Sequence, residues 1–331
     1  MSDENGKVDF SLNVKKSSLT VGELFSKNSE AFEVELLSGG DNLDRNVSGT
    51  GLHYPGLALT GFYYHFHQDK IQFIADMEWH YLDSLSAVDR KACLDRFLEF
   101  KVPAVVVTAG REPHTEILES AKKHNVPIYR TKLSSNEAGK RIQQYLDDYF
   151  APRVTMHATL VDVYGIGMLY TGKSGIGKSE CALDLIERGH RLVADDIVNI
   201  VRREDALVGT GSPLLGHHME IRGVGIINIQ SLFGIRAIRL DKKVEAVVEL
   251  VKWDPHMAYE RLGITENTID LLGISVDKVT VPIFPGKNIT VISEIIAMNI
   301  LLKYNGINTA KEFNQRLLDA LELKRRQRMH E

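Results

Sequence analysis

The sequence predicts an α/β protein of two domains, and three observations carry that expectation. Its 331 residues exceed one ordinary domain. Short apolar runs alternate with helical periodicity in both halves. The second half holds a strand, a glycine-rich loop and a helix in direct succession, with the loop reading Gly172-Lys173-Ser174-Gly175-Ile176-Gly177-Lys178-Ser179. The boundary falls near residue 150. Residues 1–150 form an N-terminal α/β domain with a parallel β-α-β unit, and residues 151–331 a second domain carrying the loop.

In the first half, residues 1 to about 16 are polar and read as loose chain. Between Leu19 and Phe32, TVGELFSKNSEAF reads as a short capped helix. Gly51 to Phe66, rich in glycine and aromatics around Pro55, reads as a loop entering a strand or short helix, with packing aromatics. Val102 to Thr108 is a continuous apolar run, as in a strand buried on both faces. Glu112 to His124 spaces Ile117, Leu118 and Ala121 as a helix does, and Val126 to Tyr129 is a second short strand. A helical crossover between them favours parallel pairing. After the polar stretch Lys132 to Gly139, Arg141 to Tyr149 is an amphipathic helix. It ends before Ala151-Pro152, because proline disfavours helix in the residue ahead of it.

In the second half, Thr159 to Tyr164 and Met168 to Thr171 flank a glycine-containing turn and read as a hairpin. Gly165 and Gly167 lack the third glycine of a dinucleotide fingerprint. The helix after the loop runs from Lys178 through Ile186 and stops at Gly189. Arg191 to Ala194 is an apolar strand that ends in Asp195 and Asp196. Helices over Ile289 to Tyr304 and Ala310 to Arg328 close the chain, the last with a basic end, Lys324-Arg325-Arg326-Gln327-Arg328, that complements the helix dipole.

The loop matches G-x-x-x-x-G-K-[ST] at every fixed position and lies between a strand and a helix, as a phosphate-binding P-loop requires. Its glycines let backbone N–H groups turn inward around phosphate oxygens, and the new helix aims its N-terminus at the same anion. Lys178 suits the terminal phosphates and Ser179 a Mg²⁺ ion. Asp195 and Asp196 end a strand, where α/β sheets place their ligand crevice. One carboxylate there can hold a metal shell while the other accepts a proton from an attacking hydroxyl. On residue type alone His157 reads as structural and Arg261 as surface. MEIRGVGIIN, with Glu220, Arg222 and two glycines, reads as a tight functional loop, and Pro282 with Pro285-Gly286 as a turn.

A net charge of −4, from 40 basic and 44 acidic residues, argues against a general nucleic-acid binder. No apolar run approaches the ~20 residues that span a bilayer, and the acidic start MSDENGKVDF is no secretory signal. Two cysteines, Cys93 and Cys181, give no disulfide framework, so a cytoplasmic protein is expected.

These pieces resemble the HPr kinase/phosphorylase (HPr serine kinase) family. The matching stretches, in order, are VDVYGIGMLYTGKSGIGKSE, ERGHRLVADD, HHMEIRGVGIIN, AYERLG and VPIFPGKN, with a looser match through YPGLALTGF and the β-α-β unit. The resemblance implies an enzyme that phosphorylates a serine of the carrier protein HPr, or an HPr-like paralogue. ATP, or pyrophosphate in some members, is the donor and Mg²⁺ the cofactor. It also implies a reverse phosphorolysis by inorganic phosphate, a P-loop kinase domain resembling that of phosphoenolpyruvate carboxykinase, a homohexamer, and an N-terminal domain for assembly or regulation. The resemblance makes Asp196 the proton acceptor for the serine, and the proton donor in reverse, with Asp195 its supporting neighbour. His157, Lys178 and Arg261 are implied active-site residues, and Ser179 and Glu220 the Mg²⁺ ligands. Met219, Glu220, Ile221, Arg222, Gly223, Val224, Gly225, Ile226, Ile227 and Asn228 match a loop used in both directions. Pro282, Ile283, Phe284, Pro285, Gly286 and Lys287 match one tied to dephosphorylation.

This chain departs from the family pattern at four positions. Lys173 stands where an acidic residue is usual, and Ala158 where glycine is usual. Phe284 and Lys287 stand where arginines are common, and neither supplies the bidentate fork of arginine. A working kinase with a weak or altered reverse reaction is therefore expected. Two other readings remain: a small-molecule P-loop kinase or phosphoenolpyruvate-carboxykinase-like enzyme, and a non-catalytic nucleotide-binding regulator. Against the last, the Asn-Lys-x-Asp base-reading motif of switch GTPases is absent.

Overall fold

The computed structural model describes residues 18–213, 215–256, 259 and 267–328. The segment expected to be loose, residues 1 to about 16, lies outside them. The fold is mixed α/β with several sheets, and the chain divides into two compact units, one ending at Ala151 and the other beginning at Pro152.

The first unit is built on a five-stranded sheet. Its order is Val34–Ser38, Ile128–Thr131, Val105–Val107, Ile71–Ile74, Leu52–His53, antiparallel at the first pairing and parallel at the rest. Both faces are covered. Phe73, Val106 and Tyr129 pack beneath the helices Val21–Ser26 and Ser135–Phe150, while Ile74, Val105, Val107 and Ile128 pack beneath Ala87–Leu98 and Thr115–His124. Burial on both sides is why the strands read as unbroken apolar runs.

Several boundaries differ from expectation. The capped helix is two helices, Val21–Ser26 and Ser29–Phe32, because the Asn28 side-chain amide donates to the Leu24 carbonyl (2.7 Å) and ends the first. Its start is capped as the sequence suggests, with Thr20 Oγ1 accepting from the Glu23 N–H (3.1 Å). The first strand of the β-α-β unit shortens to Val105–Val107 behind Pro103, which has no N–H to donate. The crossover helix starts at Thr115, since Pro113 disfavours helix at Glu112. The last helix of the unit starts earlier, at Ser135, because Ser134 caps it.

The second unit has three layers. In the middle is a six-stranded sheet, ordered Arg191–Ala194, Thr159–Val163, Ile166–Thr171, Ala246–Lys252, Ile274–Ile283, Thr268–Leu271. The helices Lys178–Glu187 and Ile289–Tyr304 cover one face, over Val161, Met168, Tyr170 and Leu192. A four-stranded sheet, ordered Asp241–Lys243, Ala206–Gly211, Ile197–Arg203, Arg153–His157, covers the other, over Leu160, Leu169 and Val193. Successive side chains alternate between the two cores, as a strand's period of two dictates.

Strand direction places the chemistry. Ile166–Thr171, Ala246–Lys252 and Ile274–Ile283 run parallel. Arg191–Ala194 is antiparallel to Thr159–Val163, which is antiparallel to Ile166–Thr171, so Arg191–Ala194 also points the same way. The glycine-rich loop, Asp195-Asp196 and the Phe284–Lys287 turn therefore lie on one edge of the sheet. The expected hairpin forms across Tyr164 and Gly165, whose φ values of 51° and 86° are those of a two-residue primed turn.

Candidate active site

The glycine-rich loop leaves Thr171 and turns directly into the helix Lys178–Glu187. At Gly172, with φ 138°, a Cβ would sit 2.5 Å from the Leu250 carbonyl of the neighbouring strand, so only glycine fits. The helix ends in a paired cap, with the Gly189 N–H donating to Ile186 O (2.9 Å) and the His190 N–H to Leu185 O (3.0 Å). Its inner face, Cys181, Ala182, Leu185 and Ile186, anchors the loop to the core. Lys178 is buried, its Nζ 3.3 Å from Gly172 O and 3.5 Å from Lys173 O, and burial pushes its pKa down.

The two aspartates occupy contrasting environments. Asp195 is only 6% exposed. Its Oδ1 accepts from Thr159 Oγ1 (2.6 Å) and Ser179 Oγ (3.1 Å), and desolvation pushes its pKa up. Asp196 sits on the surface in the left-handed region, φ 66°. Its Oδ1 lies 2.8 Å and its main-chain O 3.0 Å from His157 Nδ1. Nδ1 facing two acceptors must carry the proton. Both residues mark a crossing between sheets: the chain passes from one to the other at Ala158 and again at Asp195-Asp196, and the Ala158 N–H donates to Asp196 O (3.2 Å). Ala158 is fully buried in the core between the sheets.

Met219 to Asn228 forms a hairpin, strands His218–Ile221 and Gly225–Asn228. Met219 and Ile221 pack inward with Ile176 and Cys181. Glu220 and Arg222 share the other face, and a Cβ at Gly175 would fall 2.7 Å from Arg222 Nη1 and 2.8 Å from its Cζ. The Arg222 guanidinium therefore lies on the crest of the glycine-rich loop. Glu220 is exposed and makes no hydrogen bond to Ser179 or either aspartate among the described residues. In the Pro282–Lys287 segment, the Lys287 N–H donates to Phe284 O (3.1 Å), and Lys287 Nζ stands 5.3 Å from the Phe284 ring centroid. Arg261 lies outside the described residues.

The structure thus brings together Thr171 through Ser179, His157, Asp195, Asp196 and Arg222. Two features escape sequence reasoning: Thr159 as the second donor to Asp195, and the contact between Arg222 and Gly175. Both join residues far apart in sequence, and no local spacing announces them.

A family model described as "HPr Serine kinase N terminus" matches residues 19–146, and one described as "HPr Serine kinase C-terminal domain" matches residues 148–317. The HPr kinase/phosphorylase of Chloroherpeton thalassium is 43% identical over 307 residues, 92% of this chain and 90% of the relative. That of Geobacillus sp. is 41% identical over 295 residues, 88% and 94%. Among solved structures, the Hpr(Ser) kinase/phosphatase from Coxiella burnetii is 34% identical over 48% of this chain and 97% of its own, with a TM-score of 0.44. The class is that of an enzyme, a nucleotide-using phosphotransferase of the kinase type. Within it, the chain belongs to the HPr serine kinase family.

Proposed function

We propose that the chain is a Mg²⁺-dependent protein serine kinase that moves a phosphoryl group from ATP to a serine of HPr or an HPr-like carrier. The observation that carries the reading is the Ser179–Asp195 pair on the glycine-rich loop, with Asp196 beside it on the surface and His157 against it. Environment divides the work between the two carboxylates. The exposed one, oriented by His157, receives the serine hydroxyl proton. The serine Oγ–P bond forms, the bond from the γ-phosphorus to the bridging oxygen breaks, and its electron pair leaves on ADP. Lys178 and the loop N–H groups hold the donor's phosphates, the arrangement of a P-loop domain like that of phosphoenolpyruvate carboxykinase.

The residues present fit Mg²⁺. The ion takes oxygen ligands and is commonly held by one or two carboxylates plus substrate phosphates. Ser179 Oγ and Asp195 Oδ1 are such oxygens, and the buried Asp195 carboxylate feels the charge of Lys178 but makes no ion pair among the described residues. Mg²⁺ bound there would neutralise charge on the donor phosphates. Glu220 is the second candidate ligand, on the same hairpin face as Arg222.

Lys173 is exposed, and its ammonium makes no ion pair among the described residues, so it adds positive charge beside the donor and bears on the choice between ATP and pyrophosphate. Phe284 and Lys287 hold one cation on a ring where the family commonly presents arginines. We expect phosphorolysis of phospho-HPr by inorganic phosphate to be slower than the forward reaction. The deciding experiment is Asp196→Asn, which should abolish transfer to HPr and leave ATP binding within about threefold. Full transfer by that variant would remove the base assignment.

A further inference from the structure

Arg222 sits on the third residue of the loop's four-residue crest, between Gly172 and Gly177, and its guanidinium touches the one crest position that has no side chain. Three facts bear on why. Gly175 has φ 73°, and a Cβ there would collide with the guanidinium, so the contact depends on glycine for room as well as for backbone angle. Arg222 is exposed and has no hydrogen bond or ion pair among the described residues, so no described group neutralises it. It projects from a hairpin turn, Arg222 to Val224, whose two strands are fixed at the other end by the Asn228 side chain against His218 Nε2 (3.0 Å) and by the Ile229 N–H donating to His217 O (3.0 Å).

The crest of such a loop faces the bridge between the last two phosphates of its ligand, the place where negative charge grows as the terminal phosphoryl departs. We infer that Arg222 is a catalytic arginine supplied in cis, donating to the β–γ bridging oxygen as the electron pair of the breaking P–O bond moves onto the β-phosphate. This inference rests on the P-loop reading above. It assigns a task to one residue of the hairpin. Arginine suits it because the guanidinium keeps its charge and presents donors in a fixed fork. The other hairpin residues carry it there: Met219 and Ile221, packed on the loop helix, set the reach of the turn.

The test uses the full chain with ATP, Mg²⁺ and HPr, comparing wild type with Arg222→Met, Arg222→Lys and Arg222→Ala. Arg222→Met should lower kcat by about 10³-fold, on the scale of other charge-stabilising arginines. Its KM for ATP should stay within about threefold, since the contact strengthens only in the transition state. Arg222→Lys should recover part of the rate, and millimolar guanidinium should restore turnover to Arg222→Ala, which a merely structural role would not allow. Gly175→Ala should reproduce the kcat loss with Arg222 intact, because its Cβ displaces the guanidinium. A wild-type kcat in Arg222→Met, or a loss confined to KM, overturns the catalytic role while leaving the loop reading in place. A wild-type chain that binds neither ATP nor pyrophosphate overturns both.

Discussion

Asp195 and Asp196 are neighbours in sequence with opposite surroundings, and that difference makes a thermodynamic prediction. Burial raises the Asp195 pKa, so its ionised form opposes folding. A raised carboxyl pKa contributes stability only below the unfolded value, about 3.9, and loses it as pH rises through the folded value. At pH 7 the charge is therefore a cost. Asp195→Asn keeps an acceptor for Thr159 and Ser179 and removes that cost. It should raise Tm by roughly 2–4 °C at pH 7 while abolishing phosphoryl transfer, with the Tm advantage shrinking as pH falls through the raised folded value and gone below about pH 4. A Tm below wild type at pH 7 would show that the carboxylate is net stabilising. The pair itself was legible in sequence, because a strand ending in two acids beside a P-loop is a local pattern. Which acid is buried was not, since that depends on Thr159 and Ser179 converging on one oxygen.

The element that carries Lys178 and Ser179 is fixed at both ends. At its far end Glu294, buried on the helix Ile289–Tyr304, accepts from Arg188 Nε (2.9 Å) and Nη2 (2.6 Å) and stands 3.1 Å from His190 Nε2. The Arg188 hydrogen bonds hold the Glu294 carboxyl below its usual range. A lowered carboxyl pKa contributes stability above the unfolded value, about 4.3, and loses it as pH falls through the folded value. Glu294→Gln should cost about 2 kcal/mol at pH 7, less in acid, read as a Tm drop of roughly 4–8 °C. An unchanged Tm would mean that the cluster is not stabilising. The loop helix, its stop at Gly189 and the hairpin before it were legible because glycines and apolar spacing announce them. The four-stranded sheet was not. Asp241–Lys243 is charged throughout and pairs with Ala206–Gly211, and Ile197–Arg203 pairs with Arg153–His157, both partners distant in sequence. The helices Asp76–Ser84 and Ala87–Leu98 escaped for a similar reason, their buried Leu82, Leu94, Phe97 and Leu98 being sparse among charges.

At the scale of the molecule, two reversals of strand direction return Arg191–Ala194 to the polarity of the loop strand, which is how the single strand Thr159–Val163 between them leaves both ends of the chemistry on one edge. The order Arg191–Ala194, Thr159–Val163, Ile166–Thr171 could not be read from spacing, because the outer strand pairs across the hairpin instead of following it. We propose that the chain assembles as a homohexamer, so light scattering on the purified chain should return the mass of six copies; a monomer mass would refute that expectation. Both native thiols are buried, and burial lifts the Cys181 thiol to about 12. Few reactive thiolates are then available at neutral pH. A cysteine introduced at the exposed Val224, on the hairpin turn, would thus be the one readily alkylated position among the described residues. A fluorophore attached there would turn the hairpin that carries Arg222 into its own optical reporter, with no native cysteine needing removal.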